Sequence, residues 1–142
     1  MKRSITPYSL LIFFLCIAFS FFLSSQPLLG AENSRGIQIM EKEVLGKYLA
    51  DSKGITLYSF KKDEKNSSKC IEGCAVNWPP FRLDPSAAVW ECEPGDFATI
   101  TRSDGLQQTT YKGMPLYYFK NDKYPGDTFG HGIGGAWFLV TP

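Results

Sequence analysis

The residues best suited to chemistry are cysteines and a single histidine. Cys70 and Cys74 enclose a short loop, Cys92 follows downstream, and His131 is the one histidine among the 142 residues. Thiolates are soft ligands that favour Cu(I), and three cysteines with one histidine can complete a zinc site. These residues therefore allow a copper or thiol-redox carrier that uses Cys70, Cys74 and His131.

The same cysteines also support a purely structural role. Thiols of exported proteins usually pair with one another. Gly73 lies inside the loop and can adopt a positive φ, which lets the Cα atoms of Cys70 and Cys74 come within disulfide distance. We predict a Cys70–Cys74 disulfide, and Cys92 is then either buried as a thiol or paired across the two halves of the chain.

The N-terminal segment indicates export. Lys2 and Arg3 precede an apolar run at 10–23, and the small-residue sequence LLGAEN follows. This run is shorter than the roughly 20 residues that span a bilayer. We therefore expect residues 1–31 to be a cleaved signal peptide and the protein to be periplasmic or secreted, with no membrane span after processing. Without Lys2 and Arg3, the 15 basic residues become 13 against 14 acidic ones, which argues against nucleic-acid binding.

The remaining chain contains an internal repeat with an offset of 59 residues. The segment GITLYSFKKD at 54–63 returns as GMPLYYFKND at 113–122. A tryptophan follows each segment after the same interval, at Trp78 and at Trp137. Such agreement without a gap indicates a duplication.

The duplicated units are about 41–84 and 97–142, and we assign them to a single β domain, 32–142. The offset makes His131 the counterpart of Glu72. His131 therefore meets the thiols only if equivalent loops of the two units pack together.

Alternating apolar residues and turn signals predict strands throughout this domain, and no stretch has a convincing helical period. We predict an all-β fold of two pseudo-equivalent antiparallel units that share one core. The predicted strands are Ile37–Val44, Lys47–Ala50, Ile55–Phe60, Phe97–Arg102, Leu106–Tyr111, Met114–Phe119 and Ala136–Val140.

The pattern Tyr-x-[Phe/Trp/Tyr]-x-x-Asp occurs in both units, from Tyr58 to Asp63 and from Tyr117 to Asp122. Together with the Cys…Trp-Pro-Pro and Pro-Gly-Asp-Thr segments, it makes the chain similar to a secreted-repeat family of bacterial envelope proteins and lipoproteins of unassigned function. Some members resemble fusions to, or neighbours of, c-type cytochromes. The resemblance thus implies a protein partner in the cell envelope, such as a cytochrome. The chain has no Cys-x-x-Cys-His, so we expect no haem or other cofactor of its own.

The repeated aspartates, Asp63 and Asp122, could form an acid–base pair or hold a cation. The alternative is that each ends a strand by bonding nearby backbone N–H groups. Asp127 adds a second carboxylate to the Asp122 loop, but the spacing of an EF-hand is absent.

The repeated aromatic residues are expected in the core, whereas Tyr118, Tyr124 and Phe129 have no aromatic counterparts in the first unit. These three could line a binding surface near the glycine-rich loop at 125–135. The residues that the repeat motif and this loop assign to binding are Tyr58, Asp63, Trp78, Tyr117, Asp122, Tyr124, Asp127 and Trp137.

No catalytic signature such as G-x-S-x-G, a phosphate loop or HExxH is present, so we do not expect an enzyme. The leading hypothesis is an exported β-repeat protein that binds or supports an envelope partner, as an accessory subunit of an electron-transfer complex for example. The alternatives are the copper or thiol-redox carrier and a purely architectural subunit of an envelope complex.

Overall fold

The computed structural model describes residues 36–84, 87–89 and 92–142, so the expected signal peptide at 1–31 lies outside the described residues. The described chain forms eight strands and one short helix: β1 (Gly36–Lys42), β2 (Gly46–Asp51), β3 (Tyr58–Phe60), α1 (Gly73–Asn77), β4 (Ala88–Val89), β5 (Phe97–Thr101), β6 (Gln107–Tyr111), β7 (Met114–Pro115) and β8 (Trp137–Leu139). Two single turns of 3₁₀ helix lie at Pro94–Asp96 and Ile133–Gly135.

Each repeat opens with an antiparallel hairpin, β1–β2 in the first and β5–β6 in the second. The strands are rich in β-branched and aromatic residues, which suit a pleated, half-buried surface. The β1–β2 turn requires a positive φ, which Gly46 supplies at 72°. The sheets have the strand orders β2-β1-β4, β3-β8 and β5-β6-β7.

The two repeats interlock at a local pseudo-two-fold axis. The N–H of Tyr58 donates to the carbonyl of Tyr117 at 2.8 Å, and the N–H of Tyr117 donates back to the carbonyl of Tyr58 at 2.9 Å. From this point β3 of the first repeat pairs with β8 of the second. Tyr117 in turn bridges to Pro80 of the first repeat. Each central strand is therefore completed by the tryptophan-containing segment of the other repeat.

The core consists of two clusters of buried side chains. The first contains both repeated tyrosines, both tryptophans and Cys70. The second contains aliphatic residues with Phe81 and Tyr111, and it lies between the hairpins and the chain's final strand. Because both repeats contribute to each cluster, the two units share their core.

The predicted all-β fold with two repeats is confirmed, and several element boundaries differ. The predicted strand Met114–Phe119 is interrupted, since β7 ends at Pro115, which has no N–H to donate. The expectation of no helix missed α1, five residues long and closed into the cysteine loop. β4 was also missed, and it pairs with β1 in parallel. In the described part of the chain, no helix is long and apolar enough to cross a membrane.

Replacing Trp78 by Ala should lower the free energy of unfolding by about 3–5 kcal/mol, because a large ring that is only 5% exposed is deleted from the core. Trp137→Ala should cost a similar amount, since Trp137 is equally buried. Urea unfolding checks this, with Tyr124→Ala, whose side chain is 73% exposed, as the control that should stay within about 0.5 kcal/mol. Losses below about 1 kcal/mol at both tryptophans would contradict the shared core.

Candidate functional site

The centre of the molecule holds a reciprocal pair of tyrosine–aspartate hydrogen bonds. The hydroxyl of Tyr58 donates to Oδ2 of Asp122 at 2.6 Å. The hydroxyl of Tyr117 donates to Oδ2 of Asp63 at 2.7 Å. Each tyrosine thus bonds the aspartate of the other repeat. Both tyrosines are fully buried, and the aspartates are 8% and 7% exposed.

The second oxygen of each carboxylate fastens the loop that follows it. Oδ1 of Asp63 accepts the N–H of Lys69 at 2.7 Å, and Oδ1 of Asp122 accepts the N–H of Phe129 at 3.0 Å. This is the backbone-bonding role that the sequence offered as the alternative to acid–base chemistry. Both oxygens of each carboxylate therefore have protein donors.

Burial determines the protonation of these groups. It raises the pKa of both Asp63 and Asp122, although the hydrogen bonds that each carboxylate accepts oppose the rise. Burial also raises the pKa of Tyr58 and Tyr117 well above the usual value, and the neighbouring carboxylates add to this rise. The phenols consequently remain protonated and act as donors.

Arg102 extends the polar network on the Asp63 side, and sequence reasoning missed it. Its guanidinium side chain is fully buried and donates to the Gln108 amide oxygen at 2.8 Å and the Cys70 carbonyl at 2.7 Å. It also bonds Ser68 Oγ at 2.9 Å, and Ser68 Oγ lies 2.7 Å from the Tyr117 hydroxyl oxygen. Asp104 supplies the countercharge at 2.8 Å. These contacts satisfy a buried charge that would otherwise be costly.

Lys42 of the first repeat makes an analogous contact with a hydroxyl of the other repeat, since its Nζ lies 3.0 Å from Thr128 Oγ1. Lys42 is exposed, however, and Arg102 is buried. A basic residue at the end of the first strand in both hairpins was the signal in the sequence that could have identified Arg102.

Four aromatic rings form a continuous stack across the pseudo-two-fold axis. The indoles of Trp78 and Trp137 lie 3.8 Å apart with an interplanar angle of 2°. Phe119 caps Trp78 at 4.4 Å, and Phe60 caps Trp137 at 4.2 Å. Gly130 lies against this cluster, where an added Cβ would be 2.8 Å from Cζ of Tyr58. Its N–H donates to the Tyr58 hydroxyl at 3.2 Å, so the glycine lets the loop pack directly onto the ring.

The predicted Cys70–Cys74 disulfide is confirmed, with the Cα atoms 5.2 Å apart. Cys70 is buried in the first cluster, and Cys92 lies half-buried beside the second, outside this disulfide. The exposed His131 accepts the N–H of Leu139 at Nδ1, at 3.2 Å. Across residues 36–84, 87–89 and 92–142, no group of three or more His, Cys, Asp or Glu side chains is arranged to hold a metal ion.

The glycine-rich loop presents two aromatic side chains to solvent. Tyr124 is 73% exposed and Phe129 is 66% exposed. Oδ2 of Asp127 accepts the N–H groups of Lys123 and Tyr124, both at 2.9 Å, so this carboxylate shapes the loop. Tyr118, which we grouped with this surface, lies elsewhere and donates to Oδ2 of Asp51 at 2.9 Å.

The burial of the repeat motif corrects most of our binding assignments. Only Tyr124 and the half-buried Asp127 of the eight predicted binding residues reach the surface to a useful extent. The other six form the shared core and cannot directly contact a partner in this structure: Tyr58, Asp63, Trp78, Tyr117, Asp122 and Trp137. Their recurrence in both repeats reflects the reciprocal packing of the two halves.

The fold and its centre define a protein of two interlocked β repeats. A family model described as a secreted repeat of unknown function matches residues 41–82 and 98–141, and the chain belongs to this family of secreted proteins. No curated protein and no solved structure matches the chain.

A double-mutant cycle of Tyr117→Phe and Asp63→Asn should give a coupling free energy of about 1.5–3 kcal/mol, the range for a buried hydrogen bond to a charged group. Chemical denaturation at neutral pH measures it. Tyr124→Phe removes an exposed hydroxyl by the same chemical change and should alter stability by less than about 0.5 kcal/mol. A coupling near zero would show that the Tyr117–Asp63 bond contributes nothing specific.

Stability should depend on pH through the two buried carboxyls. Their folded-state pKa values lie above the ordinary 3.8, so the folded state holds these protons more tightly than the unfolded state. Their contribution is complete below pH 3.8 and is lost as the pH rises through the raised folded-state pKa values. The stability of the wild type relative to Asp122→Asn should therefore fall as the pH rises through this window.

Unfolding curves at a series of pH values test this sign. Asp104→Asn is the control of opposite sign, because the Arg102 guanidinium lowers the pKa of Asp104. The stability of the wild type relative to Asp104→Asn should be lost as the pH falls. A wild-type advantage over Asp122→Asn that grows with pH would contradict the prediction.

Proposed function

We propose that this secreted protein is a non-enzymatic binding module whose contact surface is the glycine-rich loop. We define this loop surface as Tyr124, Phe129 and Ile133, which are 73%, 66% and 38% exposed. The observation that carries the proposal is that two large aromatic side chains are held in solvent on a chain that buries its repeated aromatic residues. Such rings are typical anchors at protein–protein contacts.

The loop surface rests on a backbone that is bonded at several points. Phe129 is tied to Asp122, and the N–H of Gly126 donates to the Gly54 carbonyl at 3.0 Å. The N–H of Gly132 donates to the Trp137 carbonyl at 2.8 Å. A partner that binds here would therefore order little additional backbone, which favours affinity.

The surface belongs to the second repeat alone. At the offset of 59, Lys65 and Cys70 stand where Tyr124 and Phe129 occur. In the first repeat the corresponding loop is closed by the disulfide and α1. This asymmetry supports a single binding site for each chain.

The partner we propose is another protein of the cell envelope, and an accessory role beside an electron-transfer protein such as a cytochrome fits the secreted family. The carrier alternative would require reduction of the Cys70–Cys74 disulfide and a ring nitrogen of His131 as a ligand. The architectural alternative requires that the protein always occur within a larger complex, which size exclusion of native extracts would reveal.

The double variant Tyr124→Ser, Phe129→Ser should weaken partner binding by about tenfold or more without loss of stability, because two exposed anchors are removed. The partner is first isolated by co-purification with the wild-type protein, and the dissociation constant is then measured with purified components. The matched control is Val44→Ser, Leu106→Ser, which removes two other exposed apolar side chains, 91% and 55% exposed. Equal binding by the two double variants would refute the loop surface.

A further inference from the structure

The outer edge of β5 offers unpaired backbone groups. The N–H of Lys112 donates to the Asp96 carbonyl at 2.7 Å, and the N–H of Arg102 donates to the Leu106 carbonyl at 2.9 Å. Because bonded pairs alternate along an antiparallel ladder, the even-numbered residues of β5 face β6. Phe97, Thr99 and Thr101 therefore direct their backbone groups outward. In the part of the chain that the structure describes, no strand pairs with this edge.

One outward group is already used, since the Phe97 N–H donates to the Pro94 carbonyl. The groups left for a new strand are the Phe97 carbonyl and both backbone groups of Thr99 and of Thr101. The side chains of Thr99 and Thr101 are exposed, so the edge is open to solvent at these residues.

The first repeat shows that this edge of the fold accepts a strand. β2 and β6 occupy equivalent places, because the Leu49 N–H donates to Val140 and the Thr109 N–H donates to Phe81, which are themselves 59 residues apart. By the same alignment β1 corresponds to β5. Gly36 and Ile37 of β1 pair with β4, whereas the described residues hold no such strand beside β5.

The sequence of β5 does not protect its edge. Soluble proteins usually guard an exposed edge with charge, proline or a bulge. The residues Phe-Ala-Thr-Ile-Thr at 97–101 carry no charge and no proline, and all five pair regularly with β6. Three of them are β-branched, which favours further strand pairing.

We propose that β5 pairs antiparallel with β5 of a second copy of this chain, about a two-fold axis at Thr99. In this register the two Thr99 residues exchange both of their backbone hydrogen bonds. The N–H of each Thr101 also donates to the Phe97 carbonyl of the second copy. The pairing uses every available outward group except the Thr101 carbonyl, and no like charges face each other. This self-complementarity favours a second copy over an unrelated strand.

The edge is short, so the dimer is weak and depends on protein concentration. Stable specific interfaces bury roughly 1,200 Å² or more, which five residue pairs do not reach alone. The association is consequently separate from the loop surface, and its failure would leave the proposed function untouched.

The test is a charge exchange at Thr99, measured by sedimentation equilibrium of the full chain. Thr99→Lys and Thr99→Glu should each weaken self-association by about tenfold or more, because like charges then face each other across the axis. An equimolar mixture of the two variants should restore dimers, since opposite charges face each other there. Leu106→Lys, in the exposed β5–β6 turn, is the matched control and should leave dimerisation unchanged.

Thermal unfolding of each variant verifies that the fold is retained. A wild type that remains monomeric at millimolar concentration would overturn the proposal. So would single variants that dimerise like the wild type, or a mixture of variants that stays monomeric. A monomeric wild type whose binding to a different protein is abolished by Thr99→Lys would assign the edge to that protein.

Discussion

The structure depends on one constraint, which is that each buried tyrosine must find its carboxylate in the other repeat. Tyr58 bonds Asp122 and Tyr117 bonds Asp63. Neither half can therefore satisfy its own buried polar groups, and an unsatisfied carboxylate in the core is costly. The reciprocal backbone bonds between Tyr58 and Tyr117 bring the two halves into this register. The second carboxylate oxygens then fix the loops at Lys69 and Phe129, so the same bonds that join the halves also shape their surfaces.

Hydrophobic packing and polar satisfaction are combined at this centre. The stacked pair of Trp78 and Trp137 supplies the apolar area of the shared core, and each ring also meets the tyrosine of its own repeat edge-on, at 5.5 Å and 5.1 Å. The polar side of the centre is not symmetric, because buried Arg102 supports the Asp63 side, whereas exposed Lys42 contacts the other loop. A buried guanidinium gives specificity only when all its neighbours are correctly placed, which makes the second hairpin the less tolerant of the two.

The repeat and the all-β class were predictable because the offset of 59 residues preserves Tyr, Asp and Trp together. The disulfide was predictable because four residues separate its cysteines. The crossed partnership of Tyr58 with Asp122 was not, since it depends on how two strands pair in space. Arg102 was missed because a basic residue at a strand end usually extends into solvent, and its burial follows from Ser68, Cys70 and Gln108, which lie far from it in sequence or on the opposite strand. The two-residue β4 carries too little pattern to be recognised.

Duplication constrains the core and frees the periphery. A change at Tyr58 or Asp63 disturbs both halves at once, so the repeated residues cannot acquire a new contact without loss of the fold. The loops after the aspartates are under no such restriction, and they have diverged into a disulfide-closed turn in one repeat and a glycine-rich loop with exposed Tyr124 and Phe129 in the other. The outer edges have diverged as well, since β1 pairs with β4 and β5 has no described partner. Recognition by this protein is therefore to be sought where its two halves differ, and the residues that make them alike explain why those differences are held in place.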